Sequence, residues 1–105
     1  MAGMWEFPGG KLDAGETPKY ALMRELREEL AIETRPCCFS PIGFASHGYD
    51  DFHLLMPLFI CRVWKGIPAP QEGQAVRWVR PNELYTIAMP PADLPLIPQL
   101  EAVLS

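Results

Sequence analysis

The chain predicts an α+β sandwich, and three observations carry that reading. A capped amphipathic helix is written into residues 17–30, two apolar strand-like runs follow Pro36, and apolar residues return to helical spacing near the end of the chain. No internal repeat or low-complexity stretch interrupts this order, and 105 residues suit a single domain over 1–105.

The elements follow in sequence. Met4–Phe7 reads as a short strand stopped by Pro8-Gly9-Gly10, a turn that also lets backbone approach a ligand. Thr17 is an N-cap and Pro18 takes the first helical position, where its missing N–H costs nothing. The helix runs to about Leu30, with Leu22, Met23, Leu26 and Leu30 as its buried stripe. Residues 37–45 and 52–64 read as an antiparallel hairpin turning at residues 46–51. Residues 65–74, rich in Pro and Gly, form a loop; residues 75–79 form a further strand and residues 80–84 a helical turn. Residues 94–104 are apolar at helical spacing, with Pro95 and Pro98 restricting the helix to the later part.

Composition narrows the function classes. A net charge of −4 argues against a nucleic acid polymer as partner, which rewards a basic surface. It does not argue against a free nucleotide, whose charge a bound cation can offset locally. No apolar run is long enough to cross a membrane, and no signal peptide is read at the start. Cys37, Cys38 and Cys61 have no zinc spacing; they read as free thiols of a cytoplasmic protein, with Cys37 and Cys38 on opposite faces of a strand. His47 and His53 are too isolated to form a metal cluster.

The chemistry lies on the first helix. Glu25, Glu28 and Glu29 span an arc of roughly 100° on one face, so like charges crowd and weaken the helix. A divalent cation would remove that penalty, and hard oxygen donors suit Mg²⁺, with Mn²⁺ as the alternative. The competing reading is a solvated acidic face paired to Arg24 and Arg27.

The segment ahead of the helix favours the metal. From Gly10 the chain reads G-x5-E-x7-R-E-L-x-E-E-x-A-I, through Glu16, Arg24, Glu25, Leu26, Glu28, Glu29 and Ile32. This resembles the box of the Nudix hydrolases, G-x5-E-x7-R-E-U-x-E-E-x-G-U. Ala31 stands where the family has glycine; alanine favours the right-handed region, so a slightly different helix exit is expected. Residues 5–11, the run Glu72-Gly73-Gln74 ahead of Trp78-Val79, and residues 89–93 are similar to the MutT-type, 8-oxo-dGTP diphosphatase-like members. The implied fold is the Nudix α/β/α sandwich with a mixed sheet.

The resemblance also implies roles. Glu25, Glu28 and Glu29 would ligate Mg²⁺ with the Gly9 carbonyl, and Glu72 would add a ligand from a loop. Arg24 would hold Glu25 in position, while Gly10 and Glu16 would be structural. Glu25 is favoured as the base that activates water, with Glu72 the alternative. Lys11 is either a phosphate contact or a solvated loop residue. Phe7 would border the base and Asp93 would meet its edge, where the family's bacterial prototype has asparagine; the other reading of Asp93 is a cap for the last helix. The implied reaction converts a nucleoside triphosphate, 8-oxo-dGTP first among candidates, to monophosphate and pyrophosphate.

In the family, strands and a hairpin normally precede the segment matched by Met4–Phe7. On the order of 15–25 residues are therefore expected to be missing, leaving an N-terminally truncated fold with an exposed sheet edge. Three alternatives follow: a catalytically impaired remnant or nucleotide-binding module, a Nudix hydrolase of another nucleoside diphosphate derivative, and a fold that is monomeric or stabilised by a partner.

Overall fold

The computed structural model describes residues 3–104. Two helices and one hairpin form the regular structure: α1 (Pro18–Leu30), β1 (Phe39–Gly48), β2 (His53–Cys61) and α2 (Leu96–Leu104). Short 3₁₀ turns occupy Pro36–Cys38 and Pro81–Thr86. The α+β class stands. The chain forms two compact units, described separately below.

The first unit combines the segment ending at Phe7 with Pro41–Phe59 and the chain from Trp78 onward. Its sheet is the antiparallel pair β1-β2, closed by the Tyr49 N–H donating to the Phe52 carbonyl at 2.8 Å. Helix α2 supplies two fully buried side chains. Leu96 packs with Ala45 and Leu58 of the hairpin, and Ile97 packs with Leu84 and Met89. Phe7 and Leu100 border both clusters, which ties them into one core. Pro98 does not delay the helix. It sits in the first turn, where its missing donor has no intrahelical partner anyway, so α2 begins at Leu96.

Several sequence expectations are corrected. Met4–Phe7 is not a strand: its backbone tie is the Trp5 N–H to the Ala88 carbonyl at 2.8 Å, and Met4 is exposed. Residues 75–79 form no strand either: Val76 and Trp78 are exposed, and only Val79 packs against the core. The sheet among the described residues is therefore a two-stranded antiparallel one instead of mixed. Cys37 and Cys38 lie in a 3₁₀ turn before the strand, opened by Pro36 and closed by the Cys38 N–H on the Arg35 carbonyl.

The second unit combines Pro8–Ser40 with Ile60–Arg77. Its buried residues are Ala21, Leu26 and Leu30 of α1 with Ile32, Thr34 and Phe39, while Leu22 and Met23 are half-buried. Helix α1 starts as its sequence dictates, with the Thr17 hydroxyl accepting the Tyr20 N–H and Pro18 following. Its exit is a correction. Ala31 takes the left-handed conformation itself, at φ 58° and ψ 33°, held by its N–H on the Arg27 carbonyl and by the Glu33–Lys65 bridge just beyond. The loop after Lys65 then folds back over the helix end. Ala69 N–H bonds the Leu30 carbonyl and Gln71 N–H bonds the Glu29 carbonyl, both at 3.0 Å. Helix carbonyls without intrahelical partners are satisfied there, and Glu72 is carried along.

No helix among the described residues is long and apolar enough to cross a membrane.

Candidate active site

The site is built on α1 and the two loops packed around it. Arg24 is its organising cation. Its guanidinium grips Glu16 as a fork, Nε to Oε2 at 2.8 Å and NH2 to Oε1 at 3.0 Å. NH1 reaches Glu25 at 2.9 Å and Glu28 at 3.4 Å, and NH2 also donates to the Lys11 carbonyl at 3.1 Å. Asp13 closes the arrangement, its N–H donating to Glu16 Oε1 at 2.8 Å and its carboxylate lying 3.3 Å from Arg24 Nε. One arginine thus fixes both the glycine-rich loop and the rotamer of Glu25.

Protonation follows from this network. The Arg24 hydrogen bonds, helped by the Asp13 N–H, hold the Glu16 carboxyl down at about 2. Glu16 and Glu25 in turn push the Arg24 guanidinium further up.

The glycines give the carboxylates room. A Cβ on Gly10 would stand 2.6 Å from Glu25 Cδ, closer than side chains pack, so the Glu25 carboxylate would have to shift if residue 10 had one. Gly9 adopts φ +144°, a conformation that favours glycine, and its backbone bonds the Glu29 carboxylate.

Glu29 carries the clearest sign of charge crowding. Burial pushes its carboxyl up to about 7, a shared hydrogen bond with Glu25 and that residue's charge add to the rise, and the charge of Glu72 contributes last. The bond from Gly9 works in the opposite direction. Glu29 thus has Glu25 and the Gly9 backbone as hydrogen-bond partners, with the charge of Glu72 near enough to act on it.

Not every sequence candidate joins them. Glu28 turns towards Arg24, with its side chain 52% exposed. Lys11 is exposed, and its backbone carbonyl is the part that is held. Among the described residues no three His, Cys, Asp or Glu side chains are arranged as a finished metal cluster. The donor set nevertheless fits a divalent cation. Its groups are carboxylate oxygens, and the hydrogen bond between Glu29 and Glu25 sets two of them side by side.

Phe7 and Asp93 lie in the first unit. Asp93 is 6% exposed; burial and then the charge of Glu6 raise its carboxyl above the usual range, against a backbone hydrogen bond from Phe7. Its main-chain carbonyl accepts the Leu96 N–H at 3.0 Å, whereas its side chain serves Phe7. Sequence reasoning missed Asp13, Glu6 and Gln74. For Gln74 the signal was its place two residues after Glu72 in a run already singled out.

Comparison with known proteins identifies the family. A family model described as NUDIX domain matches residues 1–99. The chain is 38% identical over 101 residues to the 8-oxo-dGTP diphosphatase of Escherichia coli (strain K12), covering 96% of this chain and 77% of that protein. Over 73 residues it is 40% identical to the 8-oxo-dGTP diphosphatase of Proteus vulgaris, of which it spans 63%. The CTP pyrophosphohydrolase of Escherichia coli (strain K12) is 38% identical over 101 residues, with 92% of this chain and 70% of that protein covered. Among solved structures, the E. coli ORF135 protein matches with a TM-score of 0.86 and 32% identity, covering 98% of this chain and 72% of that one. This chain belongs to the Nudix family.

Proposed function

We propose that the protein is a Mg²⁺-dependent nucleoside triphosphate pyrophosphohydrolase, releasing a nucleoside monophosphate and pyrophosphate. The observation that carries this reading is Glu29 of the Nudix box, hydrogen-bonded to Glu25 and to the Gly9 backbone and within reach of the Glu72 charge. Relatives named 8-oxo-dGTP diphosphatase and CTP pyrophosphohydrolase support it. Bound Mg²⁺ supplies charge neutralisation on the phosphates and lowers the pKa of a coordinated water.

Glu25, Glu29, Glu72 and the Gly9 carbonyl would hold the cation, with Glu28 swinging from Arg24 to join them. Arg24 keeps Glu25 oriented and Glu16 keeps Arg24 in place, so the loop and the helix act as one support. Water attacks the β-phosphorus, with Glu25 or Glu72 as the group that takes its proton, and the monophosphate leaves. Lys11 is a further phosphate contact in this reading.

Phe7 and Asp93 would select the base. Asp93 as a carboxylate only accepts hydrogen bonds, whereas protonated it also donates. Burial raises its pKa above the usual carboxylate range, and 8-oxo-dGTP and CTP are the two substrates to compare. A cytoplasmic location accompanies the reading, in keeping with free Cys37, Cys38 and Cys61.

The direct test is substitution of a ligand that leaves the fold intact. Glu28→Gln should fold and lose nearly all turnover, by a factor of ~10² or more, as removal of a transition-state charge contact does. Turnover at the wild-type rate in that variant would remove Glu28 from the site and count against the reaction.

A further inference from the structure

The tripeptide Glu72-Gly73-Gln74 closes on itself and onto α1. Gly73 turns the chain at φ +75°, with nothing within 4 Å of where a Cβ would stand, so backbone conformation and not space asks for glycine. Gln74 Oε1 accepts the Glu72 N–H at 2.8 Å, and Gln74 Nε2 donates to the Glu29 carbonyl at 2.9 Å. That carbonyl also takes the Gln71 N–H at 3.0 Å. One planar amide is therefore bonded to the backbones of two residues whose carboxylates repel each other.

The chemistry of the clamp is restrictive. It needs an acceptor at one end, a donor at the other, and no added negative charge beside Glu29 and Glu72. The Gln amide supplies both without charge, and Asn, which has the same amide, is one methylene shorter. Without the clamp, charge repulsion and the freedom of an exposed loop both favour withdrawal of Glu72.

We propose that Gln74 is a positioning residue, whose amide fixes the Glu72 backbone against the last turn of α1 so that the Glu72 carboxylate is presented to a divalent cation beside Glu25 and Glu29. The inference rests on the function proposed above. Gln74 touches neither substrate nor cation; it acts through Glu72.

The test uses the full chain and Mn²⁺ alone, titrated by electron paramagnetic resonance without nucleotide. Wild type, Gln74→Met, Glu72→Gln and the double variant are compared, with pyrophosphate release measured in parallel. Gln74→Met should weaken Mn²⁺ binding on the order of 10-fold, the scale of a lost outer contact to a metal ligand. The same change made in the Glu72→Gln background should add less than about twofold, because its route of action is already gone. An equal loss in both backgrounds would indicate a general structural role and overturn the proposal, as would unchanged binding in Gln74→Met.

If Gln74→Met fails to fold, amide exchange of Glu72 in the wild type decides. A protected amide upholds the clamp and an unprotected one overturns it. Wild type that shows the Mn²⁺ pattern but releases no pyrophosphate would defeat the proposed function and leave the clamp standing. Turnover without any effect at Gln74 would do the reverse, and absence of Mn²⁺ binding in the wild type would overturn both.

Discussion

Gln99 of α2 bonds Phe44 of β1 at both ends of its amide, Oε1 accepting the Phe44 N–H and Nε2 donating to the Phe44 carbonyl, each at 2.9 Å. The side chain thus does what a neighbouring strand would do at that point on the sheet edge. Nε2 also donates to the Pro95 carbonyl at 2.9 Å, which fixes the amide to its own helix. Gly43 makes room for it, since a Cβ there would lie 2.9 Å from Gln99 Cδ. Pro57 guards β2 by another route, having no N–H to offer a neighbour.

Removing this plug should have two consequences. Gln99→Ala should lose about 1–2 kcal/mol of stability through the unmade hydrogen bonds. It should also self-associate more readily with concentration, because the Phe44 backbone is left open to a second strand. Urea unfolding measures the first effect and sedimentation velocity the second.

Ala31 offers a change in the opposite direction. A left-handed alanine is strained by about 1 kcal/mol relative to glycine, and its exposed methyl has little burial to lose. Ala31→Gly should therefore raise the unfolding free energy by roughly 0.5–1 kcal/mol in urea without altering the slope of the transition.

The Glu16–Arg24 fork predicts a pH dependence with a definite sign. Glu16 is held at about 2 in the folded chain against 4.5 for the free group, so the unfolded state binds its proton first as pH falls. Its contribution is complete above pH 4.5 and is lost between there and pH 2. The stability difference between wild type and Glu16→Gln, followed by chemical denaturation, should be level from neutral pH to about 5 and then shrink towards pH 2.

These residues show what was legible in the sequence. Thr17, Pro18 and the apolar stripe define α1 through contacts a few residues apart, so its limits could be read directly. The glutamates share a face for the same local reason. Met4–Phe7 and residues 75–79 were misread because a strand needs a partner, and alternation of residue types does not supply one. The turn at Cys37 and Cys38 was masked by apolar character, although Pro36 was its marker. Gln99 was invisible as an individual, and Gln74 was marked only by the run it stands in. Their distant partners, the Glu29 and Phe44 backbones, lie 45 and 55 residues away and leave no mark on side-chain identity. Glu28 illustrates the same limit: helical spacing placed it on the acidic face, but Arg24 determined where its carboxylate went.

The most direct test of the central claim is pyrophosphate release by this chain from 8-oxo-dGTP, dGTP and CTP, each with Mg²⁺ and with excess chelator. The account predicts release of pyrophosphate together with the monophosphate in the presence of Mg²⁺, none with chelator, and a preference among the three bases that Asp93→Asn changes. No release from any of the three, or release that persists when the metal is removed, would contradict it.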